Sequence, residues 1–205
     1  VRIQDAGAQL VANLITPPSD DKIILDMCSA PGGKSIAIAD EHPGCRILAL
    51  DIRHRRSQLT MQLTKSADIN SIWILTSDST KLPLNTSFSR ILLDAPCSNL
   101  GTLRRNPDIK WRANEKKLKT YAANQLTLLS VASRALRPGG QLVYSTCSSE
   151  PEENESLLDH FLTTHPKFRV VPISNPHFRT PEGYLKTNPA RDLVDGHFAA
   201  VLTRD

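Results

Sequence analysis

Two cysteines come directly after predicted strands, where an α/β sheet places its ligands. Cys97 follows the apolar run Arg90–Asp94, and Cys147 follows the run Gln141–Ser145. Ligands bind outside the carboxyl ends of such strands, so both thiols are expected at one site. A buried cysteine is usually an inert small hydrophobe, which is the interpretation for Cys45. Two cysteines at neighbouring strand ends instead favour covalent chemistry.

The segment after the first predicted strand has the character of a loop that holds a ligand. Its glycine pair lets a ligand approach the backbone, and the helix that follows favours an anionic group such as a carboxylate at its N-terminus. The pattern is neither GxGxxG nor a Walker motif, so neither NAD nor ATP is favoured. A plain tight turn is the alternative. The candidate residues are Cys28, Ser29, Ala30, Pro31, Gly32, Gly33 and Lys34.

Carboxylates end the next two predicted strands. Asp51 can accept hydrogen bonds from both hydroxyls of a ribose. Asp78 follows the third strand, within reach of an adenine amino group, although a single aspartate after a strand is most often a helix cap. With the glycine-containing loop, these residues indicate a ligand that carries adenosine without phosphates. S-adenosylmethionine fits that description.

These residues need a sheet that brings several strand ends together. Short branched-rich runs predict strands buried on both faces, at Lys22–Asp26, Arg46–Asp51, Ser71–Leu75, Arg90–Asp94 and Gln141–Ser145. Helices are predicted at 5–15, 34–41, 54–67, 114–136 and 151–164, with Leu59 and Leu63 forming an apolar i, i+4 pair in the third. Two further strands, His197–Thr203 and Phe168–Ile173, are expected as neighbours, and 172–192 as a long surface loop. The alternation predicts a doubly wound α/β sheet.

Length and composition indicate one domain of ordinary hydrophobicity. The chain has 205 residues and 22.6 kDa, and no apolar run approaches the ~20 residues of a membrane span. Its first residues, Val1-Arg2-Ile3-Gln4, resemble a cut point inside a longer protein rather than a signal peptide. The four cysteines form no CxxC pair and no zinc-finger spacing, so structural zinc is not expected. The cysteines are instead expected to be free thiols in a reducing cytoplasm. Nothing in the sequence demands a dimer, so a monomer is expected.

Positive charge is concentrated in two segments. The net charge is +4, and the stretch 101–119 holds seven basic residues against two acidic ones, while a second cluster is Arg53-His54-Arg55-Arg56. A polyanionic partner fits this distribution, and a solvated helix face is the alternative. Candidate phosphate contacts are Arg104, Arg105, Lys110 and Arg112. Trp111 could stack on a base or pack beneath its helix.

Three segments together resemble a known family. DMCSAPGGK, DAPCSNLGTLRRNPDIKWR and STCSSEPEEN are similar to the Sun/RsmB family of ribosomal RNA cytosine-C5 methyltransferases and, more loosely, to the NOL1/NOP2/Sun enzymes. The likeness covers essentially the whole chain. It implies a class I S-adenosylmethionine-dependent methyltransferase fold, Rossmann-like, with a mostly parallel seven-stranded sheet. It also implies that the chain is a catalytic domain without the NusB-like RNA-binding domain of the full-length proteins.

The resemblance also assigns roles to the candidate residues. S-adenosylmethionine would be bound by Cys28 through Lys34 together with Asp51, Asp78 and Asp94. Cys147 would be the nucleophile and Cys97 would assist product release. In DNA cytosine-C5 methyltransferases the cysteine of the Pro-Cys pair attacks instead, so Cys97 stays the alternative nucleophile. The chain departs from the family at His197, where an aromatic residue is usual, and this is expected to alter packing near the cofactor.

This chemistry requires a thiolate and an acid. Carbon 5 of cytosine is weakly nucleophilic, and addition of a thiolate to C6 moves electron density to C5. The thiolate needs nearby positive charge, for which Lys34 and the basic segment are candidates. Asp94 could draw density toward N3 of the ring, and an unstacked base is needed for the attack. The alternatives are an amino-methyltransferase, a small-molecule methyltransferase and a non-catalytic RNA-binding module.

Overall fold

The fold is an α/β sandwich with one mixed sheet between layers of helices. A computed structural model describes residues 3–18 and 22–205, so part of the opening segment Val1–Gln4 lies outside the described residues. The strands are β1 (Ile23–Asp26), β2 (Arg46–Asp51), β3 (Ile72–Thr76), β4 (Phe88–Asp94), β5 (Leu136–Thr146), β6 (Phe168–Val171), β7 (Leu185–Lys186) and β8 (Phe198–Arg204). The α-helices are α1 (Ala6–Ala12), α2 (Gly33–Glu41), α3 (His54–Ser66), α4 (Glu115–Ala135), α5 (Glu155–Thr164) and α6 (Pro189–Asp192).

The sheet is parallel on one side and antiparallel on the other. Within the described ranges the strand order is β3-β2-β1-β4-β5-β8-β6, with β7 paired to β8. Strands β1 to β5 run parallel, whereas β8 runs antiparallel to β5, β6 and β7. The doubly wound, mostly parallel sheet is thus confirmed, and the two-residue β7 brings the strands of the described part to eight.

Continuous apolar runs form the central strands because both faces of the sheet are covered. Successive residues point to opposite faces. In β1, Ile24 belongs to the core under α1 and α2, while Leu25 belongs to the core under α4 and α5. In β5, Val143 likewise belongs to the core under α1 and α2, and Tyr144 to the core under α4 and α5. The register therefore brings the carboxyl ends of β1, β2, β4 and β5 to one edge, which is where the candidate residues begin.

Three expectations about elements were wrong. Strand β3 is not buried on both faces, since it is the edge of the sheet and leaves Trp73 44% exposed. The apolar pair Leu59 and Leu63 of α3 faces solvent, at 49% and 39% exposure. The stretch 172–192 is not one surface loop, because it contains β7 and α6 and buries Tyr184 and Leu185.

The remaining helix predictions are confirmed with small shifts. The predicted helix 151–164 begins as a 3₁₀ turn, Pro151–Glu153, and continues as α5. The predicted helix 114–136 is α4, capped by the side chain of Asn114, which accepts from the backbone N–H of Lys117. No helix in the described ranges is long and apolar enough to cross a membrane.

Candidate active site

The loop between β1 and α2 forms the floor of a cavity at the sheet edge. Gly32 has φ +102°, and a Cβ there would lie 2.7 Å from Cγ2 of Thr60 on α3, so only glycine fits without displacement. The small polar side chains Ser57, Thr60 and Thr64 form the buried face of α3. This close packing explains why the leucines of α3 face outward. The cavity measures about 470 Å³, which is within the size range of cofactor sites.

Two carboxylates predicted from strand ends line this cavity. Asp51 is buried, and its Oδ1 accepts from the backbone N–H of Arg53 at 2.8 Å. Asp78 caps the 3₁₀ turn Ser79–Lys81 by accepting from the backbone and hydroxyl of Thr80 at 2.9 and 2.7 Å. These bonds lower the pKa of Asp78. Asp78 is therefore a helix cap that also faces the cavity.

Asp94 lies between the loop that joins β1 to α2 and the two cysteines. Its Oδ2 pairs with Nζ of Lys34 at 2.7 Å, and its Oδ1 accepts from the hydroxyl of Ser145 at 2.7 Å. Burial by itself lowers the pKa of Lys34, but Asp94 and, more weakly, the charge of Cys147 raise it, and the net direction is upward. Lys34 is therefore a cation at neutral pH that lies within electrostatic range of both Asp94 and Cys147.

The two cysteines form a close pair of thiols. Their Sγ atoms are 3.3 Å apart, well beyond the ~2.05 Å of a disulfide bond. Cys97 is buried, and its hydrogen bond with Cys147 and then its burial raise its pKa well above that of an ordinary thiol. Cys147 is partly exposed, and its thiol lies 2.8 Å from the amide oxygen of Asn99, which it can donate to. Both thiols line the cavity.

The other cysteines lie apart from this pair. Cys45, at the end of the turn before β2, is only 6% exposed, which agrees with its interpretation as an inert core residue. Burial and then the neighbouring Asp26 raise the pKa of Cys28 well above its usual range. Cys28 lines the cavity through the loop, as expected, and this environment disfavours a thiolate there.

The predicted RNA-binding residues divide into two pairs. Arg104 and Arg105 face the buried carboxylate of Asp195, with Nε of Arg105 at 2.7 Å from Oδ2. Both arginines also approach Asp5 beside α1. Arg112 pairs with the exposed Asp108 at 2.8 Å. Arg104 and Arg105 thus neutralise buried carboxylates, a structural role that their sequence pattern did not indicate.

Lys110 lies 4.7 Å from the centroid of the Trp111 ring, and that ring is 81% exposed. Of the two alternatives for Trp111, packing beneath a helix is wrong in this structure, and an exposed ring is what stacking on a base requires.

Sequence reasoning missed several residues of the site. Tyr121 and Asn124 lie three positions apart on α4 and line the cavity. Arg56 of α3, predicted only as part of a basic cluster, also lines the cavity, and its guanidinium donates to the carbonyl of Ala30. Helical spacing could have paired Tyr121 with Asn124. Asn99 has φ +61°, and no spacing signal points to it.

His197 is buried beside α1 and lines a different cleft from the one that contains the thiol pair. A Cβ on Gly7 would lie 2.5 Å from its ring. The departure from the family pattern therefore affects packing against α1.

A mostly parallel sheet with a glycine-containing loop after β1 and acidic strand ends defines the fold of Rossmann-like methyltransferases. The solved structure of NSun6 from Pyrococcus horikoshii with SFG, an analogue of S-adenosylmethionine, superposes with a TM-score of 0.88 at 29% identity, over 98% of this chain and 52% of that one. A methyltransferase homologue from the same organism gives 0.85 at 28% identity, over 100% and 68%.

The chain belongs to the 16S rRNA methyltransferase RsmB/F family, whose model matches residues 13–203. Ribosomal RNA small subunit methyltransferase B from Erwinia tasmaniensis is 34% identical over 100% of this chain and 47% of its own length. The chain spans about half the length of the curated relatives that it matches.

Proposed function

We propose that this chain is the catalytic domain, over residues 1–205, of an enzyme that methylates carbon 5 of cytosine in RNA, with 16S rRNA as the substrate. The observation that carries the proposal is the thiol pair, 3.3 Å apart, in the same cavity as Asp51 and Asp78. Amino-methyltransferases have no need of two thiols. Family membership supports rRNA as the substrate class. We further propose that the enzyme acts in the cytoplasm as a monomer.

The residues present fit S-adenosylmethionine. Asp51 would bind the ribose and Asp78 the adenine amino group, and the N-terminus of α2 favours the carboxylate. Cys28 and Ala30 line the cavity from the loop, whereas Gly32 allows that loop to pack against Thr60 of α3. When bound, this cofactor supplies the methyl group as an activated sulfonium. Tyr121 and Asn124 close the cavity from the α4 side.

Cys147 is the nucleophile in the proposed mechanism. It is the more exposed of the two thiols, and Lys34 provides the positive charge that stabilises a thiolate. The thiolate adds to C6 of an unstacked cytosine, and C5 gains the electron density with which it takes the methyl group. We assign the contact with N3 of the ring to Asp94, whose carboxyl group is held by Lys34 and Ser145.

Release then requires two bonds to break. The C5 proton leaves to water or another base, and the C6–S bond breaks with its electron pair returning to Cys147. Cys97 keeps its proton because its pKa is high, so its S–H can donate to the departing sulfur 3.3 Å away. Lys110, Trp111 and Arg112 provide a surface for the flanking nucleotides, and Arg104 and Arg105 remain half exposed beside it.

Substituting each thiol separately tests this division of roles. We expect Cys97→Ala to accumulate a ribonuclease-sensitive covalent RNA adduct, seen as a slow band on a denaturing gel, because attack proceeds and elimination is slowed. Cys147→Ala should give no adduct. A band with Cys147→Ala alone would exchange the two roles. No band with either variant on 16S rRNA or total cellular RNA would contradict covalent catalysis.

A further inference from the structure

A buried carboxylate bridges the two loops that carry the thiols. Glu153 is 0% exposed. Its Oε1 accepts from the backbone N–H of Ser98 at 2.9 Å and from Nε2 of Gln125 at 2.8 Å. Its Oε2 accepts from the hydroxyls of Ser98 and Ser148, both at 2.5 Å. Ser98 directly follows Cys97 and Ser148 directly follows Cys147, so this one side chain connects both loops.

An unpaired buried carboxylate would be strongly unfavourable, and here four donors satisfy it. The segment around Glu153 is also held in place without its carboxylate. The hydroxyl of Tyr144 donates to the backbone carbonyl of Glu153 at 2.6 Å, and Asn154 bonds to Thr146 and to the carbonyl of Ser148. The carboxylate is therefore the part of this segment that reaches across to the Cys97 loop.

We propose that Glu153 is a positioning residue that sets the separation of Cys97 and Cys147. It thereby keeps the S–H of Cys97 within reach of the Cys147 sulfur when the product is released. The catalytic part of this inference, the effect on product release, rests on the proposed function. The geometric part, the spacing of the thiols, stands independently of any substrate. Without the bridge the two loops keep the hydrogen bonds from Gly101 to the carbonyl of Cys147 and from the backbone N–H of Cys147 to Sγ of Cys97, but they lose their shared acceptor. The thiols are then held less firmly, and Cys97 meets the departing sulfur of Cys147 less often.

The variant Glu153→Gln keeps the shape of the side chain but replaces one of the two carboxylate oxygens by an NH₂ group, which cannot accept a hydrogen bond. We expect it to accumulate the covalent RNA adduct although both cysteines are intact, at about tenfold the level of the unsubstituted protein. General destabilisation would lower the adduct instead. Tyr144→Phe is the matched control, because it removes a bond to the same residue's backbone and leaves the carboxylate bridge in place. It should give no excess adduct.

A second measurement needs no RNA. Phenylarsine oxide condenses with two adjacent thiols, forming two As–S bonds and releasing water. We expect Glu153→Gln to bind it about tenfold more weakly in competition with a small dithiol, and Tyr144→Phe to bind it as the unsubstituted protein does. Ser148→Ala, a smaller change that removes one donor from the Cys147 loop, should shift both readouts in the same direction and serves if Glu153→Gln does not fold.

The outcomes separate the two proposals. If Cys97→Ala traps RNA but a folded Glu153→Gln neither traps RNA nor loses affinity for the arsenical, the role of Glu153 is overturned and the proposed function stands. If no variant traps RNA, the proposed function fails. The arsenical affinities then still decide whether Glu153 sets the thiol spacing.

Discussion

Two buried residues near the site carry opposite pKa shifts. Asp26, at the end of β1, is fully buried and accepts from Ser35 at 2.6 Å, and its burial raises its pKa from 3.8 to about 7. Burial, and then the charge of Lys34, lower the pKa of His197 from 6.5 to about 4. Folding therefore takes up a proton at Asp26 and releases one at His197 across the same pH range. Their effects on the free energy of unfolding oppose each other.

Asp26→Asn should expose the contribution of His197. Between about pH 4 and 6.5 the unfolded chain holds a proton on His197 that the folded chain lacks, so the free energy of unfolding should rise with pH, by at most about 1.4 kcal/mol per pH unit. His197→Phe should show the reverse, a fall between about pH 4 and 7, because the unfolded chain ionises Asp26 first. Urea unfolding of both variants across this range measures the slopes. Identical slopes in the two variants would contradict the assignment.

At the scale of elements, hydrophobic runs predicted the central strands because both faces of those strands are covered. The same reasoning failed for β3, because a run of apolar residues does not reveal which strand lies at the edge. The strand ends predicted Asp51, Asp78, Asp94, Cys97 and Cys147 as cavity residues. The positions of the strand ends could not predict Asn99, which contacts both thiols, or Glu153, which bonds to the residues that follow them, because these contacts arise from the packing of separate loops.

The contact between the two thiol loops depends on a glycine. The backbone N–H of Gly101 donates to the carbonyl of Cys147 at 2.9 Å, and its carbonyl accepts from Gly196 at 2.8 Å. A Cβ at Gly101 would lie 2.1 Å from the carbonyl oxygen of Gly196. We expect Gly101→Ala to lower the free energy of unfolding by about 2 kcal/mol. Gly44→Ala is the control, since a Cβ there meets nothing within 4 Å. Urea midpoints compare them, and equal midpoints would refute the steric argument.

At the scale of the whole molecule, the net charge of +4 conceals two kinds of basic residue. Arg104 and Arg105 connect the loop after β4 with α1 and the segment before β8 through Asp5 and Asp195. Lys110 and Arg112 are exposed and bound to local partners. Composition could not distinguish these pairs, because the carboxylates that meet the first pair are distant in sequence.

Substitution should separate the structural arginines from the RNA-binding surface. Arg105→Ala leaves the fully buried Asp195 with a weakened set of partners and should lower the free energy of unfolding by about 2 kcal/mol. Lys110→Ala should leave stability within about 0.5 kcal/mol. It should weaken RNA binding and reduce the slope of log affinity against log salt by about 1. Filter binding at several salt concentrations and urea unfolding measure the two effects. An Arg105→Ala variant as stable as the unsubstituted protein would contradict the structural role of Arg105, and a reduced salt slope in that variant would assign the residue to RNA binding.

The placement of β8 has a consequence for synthesis on the ribosome. Among the described strands, β6 pairs with β8 alone, and β8 also covers the outer edge of β5. Translation delivers β5 and β6 well before residues 198–204, so the nascent chain exposes the edge beside Val143 and Tyr144 until β8 leaves the exit tunnel. An exposed apolar strand edge is where partly folded chains aggregate. Completion of the sheet therefore follows translation of β8, and a chain stopped before Phe198 would retain the open edge permanently.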